Sequence, residues 1–285
     1  MSDLVFFITG TSTGFGRELT IALNEAGHKV IASARNIDKI KDLGELANVS
    51  TLQLDIGDKK EIIEKKAQEA IGIHGYVTHL VNNAGYALDG TFEEAESEEA
   101  RLQYEVNVWG TVNVTNAFLP HFRSRKSGFI ATISSLVGIV SFPGLPWYCS
   151  TKFALEGLFE ALKAEVAHLG IKVLLINPGY FATNFLDPNN IKPPTNRIDD
   201  YKPITDAMTK NLRNQHTNQL GDPKKGAVRI IEALTGTGMA KGRELPTRLL
   251  LGSDSYQLAI GKGQNLVDSA NEWKDISIST DRTDK

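Results

Sequence analysis

Short apolar, β-branched segments alternate with longer segments of helical spacing through the first 180 residues of the chain. Six short segments have the composition of buried strands: Leu4–Ile8, Lys29–Ala32, Val49–Leu54, His79–Val81, Phe129–Ile133 and Lys172–Ile176. The segments with helical spacing include Arg17–Glu25, Lys59–Ile71, Glu98–Phe122 and Ala154–His168. Regular alternation of this kind predicts right-handed crossovers and an α/β fold with three layers, in which one doubly wound parallel sheet lies between helices.

The domain organisation follows from what interrupts this alternation. We find no internal repeat and no linker rich in Pro, Ser or Gly, so residues 1–270 are expected to form a single domain. The segment 179–223 is polar and rich in Pro and Asn, and we expect it to be an irregular insertion that closes over a binding site as a lid. Residues 271–285 are mostly polar and aperiodic, which predicts a flexible tail.

Composition narrows the class of protein. The 285 residues are 41% hydrophobic, and 31 basic residues against 34 acidic ones leave a net charge of −3, which does not favour nucleic acid or an anionic membrane. The N-terminus lacks the basic flank and cleavage site of a signal peptide, and the first apolar run is too short to span a bilayer. Cys149 is the single cysteine and has no disulfide partner within the chain. We therefore expect a cytoplasmic protein.

A glycine-rich turn, Thr9-Gly10-Thr11-Ser12-Thr13-Gly14-Phe15-Gly16, follows the first strand and precedes a helical pattern. Glycines at this junction let backbone N–H groups and the helix N-terminus approach a pyrophosphate, so the turn predicts a dinucleotide site. A strand-to-helix turn without a ligand is the alternative, because glycine spacing by itself is weak evidence.

The end of the second strand bears on the choice of nucleotide. Sites for NAD place an acidic residue there to bind the ribose 2′-hydroxyl, whereas this strand ends in Ala34 and Arg35. The Arg35 guanidinium would pair with a 2′-phosphate, which favours NADP(H); a solvated arginine is the alternative. Asp55, after the third strand, would bind the adenine amino group or cap the next helix.

Tyr148 and Lys152 lie four residues apart at the start of a helical pattern and therefore share one helix face. A neighbouring ammonium group stabilises a phenolate, which would allow Tyr148 to transfer protons. Ser135 lies thirteen residues before Tyr148, beyond the strand Phe129–Ile133, where open α/β sheets bind their ligands. Its hydroxyl would donate a hydrogen bond to the substrate oxygen as negative charge develops there.

These motifs resemble the short-chain dehydrogenase/reductase superfamily, in its subgroup of about 250 to 300 residues. The resemblance extends from Leu4 to about Leu251 and implies a Rossmann-like fold. It rests on these elements in order: Thr9-Gly10-x-x-x-Gly14-x-Gly16, Asn82-Asn83-Ala84-Gly85, Asn107, Ser135, Tyr148-x-x-x-Lys152 and Pro178-Gly179-x-x-x-Thr183. Of the doublet Ser134-Ser135, the thirteen-residue interval to Tyr148 selects Ser135.

The resemblance implies four catalytic residues. Tyr148 would be the acid in reduction and the base in oxidation, and Ser135 would orient and polarise the substrate oxygen. Lys152 would lower the Tyr148 pKa and bind the nicotinamide ribose. Asn107 would hold a water molecule that connects Lys152 with solvent.

The cofactor expected on this basis is NADP(H) in preference to NAD(H). The residues expected to bind it are Gly10, Ser12, Thr13, Gly14, Phe15, Gly16, Arg35, Asp55, Asn83, Ala84, Gly85, Tyr148, Lys152, Pro178, Gly179, Phe181 and Thr183. Ser12 and Thr13 stand where some NADP(H)-preferring relatives have a basic residue, so Arg35 carries the phosphate assignment largely alone.

The substrate pocket is expected to be aromatic and apolar, which suits a small hydrophobic ketone, aldehyde, secondary alcohol, steroid or retinoid. Its expected walls are Val137, Phe142, Leu145, Trp147, Tyr180 and Phe185, with Phe181 beside them. A cytosolic NADPH pool would favour reduction. Relatives are commonly oligomeric, and we expect a homodimer or homotetramer assembled through the helical segments Glu98–Phe122 and Ala154–His168.

Other functions fit the sequence less well. Nucleotide-sugar epimerases have longer chains and a Gly-x-x-Gly-x-x-Gly turn, which does not occur here. A serine hydrolase would need a histidine base for its serine, and the six histidines form no legible triad. No Cys, His or carboxylate cluster has the spacing of metal ligands, so no catalytic metal is expected. A cofactor-binding regulator without turnover is the remaining alternative, and the intact set of four catalytic residues argues against it.

Overall fold

A computed structural model describes residues 4–186, 191–216 and 218–282. The central sheet is built from β1 Val5–Thr9, β2 Lys29–Ala34, β3 Val49–Gln53, β4 His79–Asn82, β6 Gly128–Ile133, β7 Ile171–Pro178 and β9 Arg248–Leu251. Within the described residues these seven strands are all parallel, in the order β3-β2-β1-β4-β6-β7-β9. The strand order reverses between β1 and β4, and ligands bind such sheets in the crevice at this point.

Helices cover both faces of the sheet. They are α1 Gly14–Glu25, α2 Lys60–His74, α3 Ser97–Tyr104, α4 Thr111–Arg125, α5 Pro146–Val166, α6 Lys202–His216, α7 Pro223–Thr235, α8 Ser253–Glu272 and α9 Lys274–Ile278. Alternate residues of β1 point to opposite layers: Phe7 packs in a core with residues of α2, α4 and α5, and Phe6 packs in a second core with residues of α1 and α7. The three-layer, doubly wound sheet predicted from the sequence is thereby confirmed.

The six predicted strands are present with shifted ends, and the structure adds β9 at the sheet edge. The predicted helix Glu98–Phe122 is divided by a π-helical turn, Glu105–Gly110. Gly110 ends this turn, and the position has no room for a side chain because a Cβ there would lie 2.5 Å from the Ile56 carbonyl oxygen. The predicted helix Ala154–His168 begins earlier, at Pro146, whose fixed φ suits the first turn of a helix.

The expected lid, residues 179–223, is more regular than its composition indicated. It contains α6 and the short strand β8 Ile191–Lys192, which pairs with β5 Ala87–Leu88. Residues 271–282 comprise the end of α8, α9 and a short exposed stretch, and the flexibility expected of this tail stays a prediction. Residues 187–190 and 217 of the lid and 283–285 of the tail lie outside the described residues.

Candidate active site

The glycine-rich turn joins β1 to α1 and packs against the loop that follows β4. Gly10 has φ +71°, and a Cβ on it would lie 2.8 Å from the Ala84 Cα. A Cβ on Gly16 would lie 2.5 Å from the Gly10 carbonyl oxygen and from Nδ2 of Asn83. The turn therefore requires glycine at position 10 for backbone conformation and space, and at position 16 for space.

Asn83 fixes the turn from the neighbouring loop. Its Nδ2 donates to the carbonyl oxygens of Thr9 and Gly10, both at 2.9 Å. The Thr9 hydroxyl in turn accepts the N–H groups of Asn83 at 3.0 Å and Ala84 at 3.1 Å. Asn82, one residue earlier, donates to the hydroxyl of Thr115 at 2.9 Å and so ties β4 to α4. Asn83 thus stabilises the glycine-rich turn, and Asn82 stabilises the strand beside it, by hydrogen bonds within the protein.

The N-terminus of α1 is suited to an anion. Gly14 has φ +59°, and Thr13 precedes the helix in an extended conformation without a capping hydrogen bond from its side chain. The first turn carries no acidic residue. Exposed Thr13 and half-buried Ser12 leave the backbone N–H groups of this turn for a ligand, as a pyrophosphate requires. The residues present therefore fit the phosphates of a dinucleotide.

The nucleotide end of the crevice is open to solvent. The Arg35 side chain is 81% exposed, and its Nε lies 3.9 Å from Oδ2 of Asp55. Asp55 Oδ1 accepts the Gly57 N–H at 3.0 Å, so this carboxylate stabilises the turn before α2, which begins five residues later at Lys60. An exposed guanidinium that is held weakly is free to meet a phosphate group.

Tyr148 lies in the first turn of α5, buried beside Ser135, which follows β6. Burial raises the pKa of the Tyr148 phenol, the nearby Cys149 thiol raises it further, and a hydrogen bond with the Ser135 side chain opposes the increase. Ser134 is also buried, but its hydroxyl has no hydrogen-bond partner among the described residues. The structure thus brings Ser135, the member of the doublet selected by spacing, to the phenol.

Lys152 lies one turn further along α5. Its Nζ donates to the Ile133 carbonyl at 2.9 Å and lies 5.8 Å from the centre of the Tyr148 ring. Burial lowers the Lys152 pKa to about 8, although the charge of Glu156 on the next turn raises it. In this arrangement burial, rather than Lys152, dominates the pKa of Tyr148.

Asn107 is buried in the π-helical turn, behind the loop after β4. Its Oδ1 accepts the Tyr86 N–H at 3.1 Å, and its Nδ2 donates to the Tyr86 carbonyl at 2.9 Å and to the Thr151 hydroxyl at 3.2 Å. The Asn107 carbonyl accepts the Thr111 hydroxyl at 2.9 Å. A Cβ on Gly85 would lie 3.1 Å from Asn107 Oδ1 and 4.0 Å from Lys152 Nζ. Gly85 therefore lies directly beside both side chains.

The loop after β7 reaches the other side of the crevice. The Gly179 N–H donates to the Leu251 carbonyl at 2.8 Å, which aligns Pro178 and Gly179 with the end of β9. Thr183 faces the glycine-rich turn, since its Cβ is 3.6 Å from where a Cβ of Gly14 would stand. The Phe181 ring is buried instead against Phe15, with centroids 4.9 Å apart, so the backbone of Phe181 is what remains for a cofactor.

Most of the residues expected to wall the substrate pocket do surround Tyr148. Val137 and Leu145 are buried in one apolar cluster with Tyr148, and Phe142 and Tyr180 pack against it. The exposed Phe185 ring lies 5.6 Å from that of Tyr148. Sequence reasoning did not identify the other members of this cluster, which are Ala87, Leu136, Val140, Cys149, Met208 and Leu258. Met208 and Leu258 come from α6 and α8, whose approach to the pocket has no local signal.

Trp147 lies elsewhere. Its ring stacks on Phe92 at 5.2 Å, and its Nε1 donates to the Phe92 carbonyl at 3.3 Å. It lines a groove of about 530 Å³ with Tyr104 and Trp109. Adjacent residues of a helix point about 100° apart. Burial of Tyr148 towards the crevice therefore turns Trp147 away from it, contrary to the sequence expectation.

Residues 195–198, within the expected lid, are held by carboxylates that precede and begin α3. Oε1 of buried Glu94 accepts the Ile198 N–H at 3.0 Å, and its Oε2 lies 3.4 Å from Arg197. Glu99 accepts the N–H of Thr195 at 2.9 Å and the hydroxyl of the same residue at 2.7 Å. Burial by itself raises the Glu94 pKa, but hydrogen bonds from Thr91 and Ile198 outweigh it and leave this pKa lowered. These contacts hold residues 195–198 in place.

Over the described ranges, no cluster of His, Cys, Asp and Glu side chains is arranged to hold a metal ion. No helix in the same ranges has the length and apolar character needed to cross a membrane.

Comparison with known proteins gives one consistent result. The sequence profile described as short chain dehydrogenase matches residues 4–193. Oxidoreductase BOA17 of Botryotinia fuckeliana is 31% identical over 282 residues, which cover 97% of this chain and 98% of that protein. A 3-ketodihydrosphingosine reductase of Bacteroides thetaiotaomicron is 34% identical over 227 residues, covering 80% of this chain and 82% of that protein.

Solved structures share the fold. A short-chain dehydrogenase from Streptomyces avermitilis superposes with a TM-score of 0.87 at 36% identity, covering 99% of this chain and 100% of that chain. Two Burkholderia proteins of the same fold, at 20% and 24% identity and TM-scores of 0.75 and 0.72, were solved with NAD and with NADP respectively. The family profile spans most of this chain, and two relatives match the chain over nearly their whole lengths. This chain is therefore an oxidoreductase that belongs to the short-chain dehydrogenase/reductase family.

Proposed function

We propose that the protein is an NADP(H)-preferring oxidoreductase that interconverts a carbonyl group and an alcohol on a small hydrophobic substrate. The observation that carries this proposal is the placement of buried Tyr148 beside Ser135, one turn from Lys152 and within an apolar cluster. A hydroxyl pair of this kind binds one substrate oxygen from two sides, and the apolar walls favour a substrate without charge.

The chain's own residues would move the proton. In reduction, the Tyr148 hydroxyl donates its proton to the substrate oxygen while the Ser135 hydroxyl donates a hydrogen bond to the same atom. Burial keeps the Tyr148 phenol protonated at neutral pH, which suits a proton donor. Lys152 would bind the nicotinamide ribose and, with Asn107 and a water molecule, return a proton to Tyr148. A bound nicotinamide supplies the hydride to the carbonyl carbon.

The preference for NADP(H) depends on Arg35. No carboxylate ends β2, and the exposed guanidinium lies beside the crevice where a 2′-phosphate would project. Its weak pair with Asp55, at 3.9 Å, would yield readily to a doubly charged phosphate group. The similarity to a protein named 3-ketodihydrosphingosine reductase agrees with reduction of a ketone as the proposed direction.

Assembly and location remain predictions of the same proposal. Leu102, Trp109 and Leu158 are about half exposed on the helical segments expected to assemble into a homodimer or homotetramer. A cytoplasmic location would supply the reduced cofactor.

The test is oxidation of NADPH and of NADH, followed in parallel by nicotinamide absorbance, against apolar aldehydes, diketones, aryl ketones, steroids and retinoids. We expect turnover with NADPH and a lower kcat/KM with NADH. Equal kcat/KM for both cofactors would contradict the preference. NADPH binding without turnover on the whole panel would favour a regulator that retains the cofactor site.

A further inference from the structure

Asp254, in the first turn of α8, accepts two backbone hydrogen bonds, one from the loop after β7 and one from its own helix. Its Oδ2 accepts the Tyr180 N–H at 2.7 Å, across 74 residues of sequence. Its Oδ1 accepts the N–H of the next residue, Ser255, at 2.8 Å. Both carboxylate oxygens therefore act as acceptors. An amide in this place would set an NH₂ group against a backbone N–H.

Two glycines make room for this carboxylate. A Cβ on Gly179 would lie 1.9 Å from Asp254 Oδ1, and one on Gly252 would lie 2.5 Å from the same atom. Gly252 has φ +95° and needs glycine for its conformation as well, whereas Gly179 is outside the left-handed region. The absence of a side chain at Gly179 is thus explained by the space that Asp254 occupies.

The start of α8 also contacts the end of β7 and the pocket. Ser255, which is 1% exposed, donates from its hydroxyl to the Asn177 carbonyl at 2.8 Å. Leu258, one turn further on, packs against the apolar cluster that contains Tyr148, as Tyr180 also does. Burial raises the pKa of the Tyr180 phenol, and the charge of Asp254 raises it further, so this hydroxyl stays protonated within the pocket.

We propose that Asp254 is a positioning residue of the active site, which holds the Gly179–Tyr180 peptide where the loop binds nicotinamide and the Tyr180 ring meets the substrate. The inference rests on the proposed function, because it assigns cofactor and substrate to the two sides of this peptide. It accounts for the contact between a glycine and an aspartate at a helix start that are remote from each other in sequence.

The first experiment compares Asp254→Asn with Asp268→Asn, a matched change at an exposed aspartate of the same helix that accepts from Gln264 at 2.7 Å. We expect Asp254→Asn to lower kcat/KM by about ten- to a hundredfold and to weaken NADPH binding, the range for losing a hydrogen bond to a charged group. Asp268→Asn should match the wild type. Activity is measured well below the melting temperature of each variant, where a merely structural role would leave kcat and KM unchanged.

A double-mutant cycle tests the contact itself. Gly179→Ala should weaken NADPH binding at least tenfold, because its methyl group displaces the Asp254 carboxylate. In the Asp254→Ala background the colliding atoms are gone, so adding Gly179→Ala should change NADPH affinity less than twofold. Additive losses in this cycle would overturn the inference.

The outcomes separate the two proposals. A wild-type protein that binds neither NADPH nor NADH refutes the proposed function and the inference with it. A wild type that binds NADPH and turns over, while Asp254→Asn behaves as Asp268→Asn does, refutes the inference alone.

Discussion

The Lys152 ammonium lies 5.8 Å from the centre of the Tyr148 ring while it donates to the Ile133 carbonyl at 2.9 Å. Burial shifts the two pKa values in opposite directions, since it raises that of Tyr148 and lowers that of Lys152 to about 8. Each shift disfavours the charged form of its side chain. A neutral phenol held next to Ser135 is therefore the form available for proton donation.

Tyr148→Phe tests this assignment. Loss of the hydroxyl should reduce kcat at least about a hundredfold, the usual contribution of a positioned general acid, while NADPH still binds. Stopped-flow or steady-state turnover, with the NADPH dissociation constant measured separately, reports both properties. Tyr256→Phe, at an exposed tyrosine of α8, is the matched control. Near-normal kcat in Tyr148→Phe would remove Tyr148 from the mechanism.

Arg35→Ala should weaken NADPH binding by about 1.5 to 3 kcal/mol, as expected when a charged hydrogen bond is lost, and leave NADH affinity nearly unchanged. Stability should change little, because the pair with Asp55 at 3.9 Å is largely exposed. Calorimetric titration with both cofactors gives the comparison, and Lys39→Ala, an exposed cation in the following turn, controls for general charge. An equal loss for NADPH and NADH would contradict the assigned role.

The buried His79 side chain should make the free energy of unfolding depend on pH. The ring is stacked against Phe6 and Phe129, and burial lowers the His79 pKa to about 4, against the opposing effect of the Leu234 carbonyl. The unfolded chain binds a proton near pH 6.5 and the folded protein does so only near pH 4, so the free energy of unfolding falls as pH decreases through this window. The contribution is on the order of 3 kcal/mol.

Urea unfolding at several pH values across this window measures the effect. His79→Leu should flatten the decline, while His168→Gln, at an exposed histidine, should leave it as in the wild type. The same slope in His79→Leu and wild type would show that other groups cause the decline.

Glu94→Gln should loosen residues 195–198. The change removes the charge beside Arg197 and places an NH₂ group among donors, at a cost of about 1 to 3 kcal/mol for a buried acceptor. Hydrogen exchange of amides in residues 195–198 should accelerate, with Ile198 the most affected. Glu98→Gln, at an exposed neighbour on α3, is the control. Unchanged protection at Ile198 would mean that Glu94 does not hold this segment.

Local pattern was sufficient to predict much of the fold and to select candidate catalytic residues that lie together in the structure. The alternation of apolar runs and helical periods predicted six of the strands of the sheet, because a strand buried on both faces has consecutive apolar residues. The glycine turn, the four-residue spacing of Tyr148 and Lys152, and the interval to Ser135 are local as well. The structure brings these residues together around one crevice.

Other features were decided by packing between distant segments. β9 is an edge strand of four residues, and its three consecutive leucines do not by themselves distinguish a strand from a helix. Trp147 and Phe181 were predicted to lie at the pocket. Instead, Trp147 stacks on Phe92, and Phe181 packs in the core beside Phe15. Which face of a helix or loop meets a cavity depends on the neighbours that cover the other face.

The sequence alone therefore determined the order of the elements and the chemistry-bearing residues at the sheet edge, since both depend on periodicity and on the carboxyl ends of parallel strands. The tertiary structure decided which side chains wall the pocket and what holds them, as in the contact of Asp254 with Gly179 and Tyr180. Such contacts join residues far apart along the chain, and no local spacing encodes them.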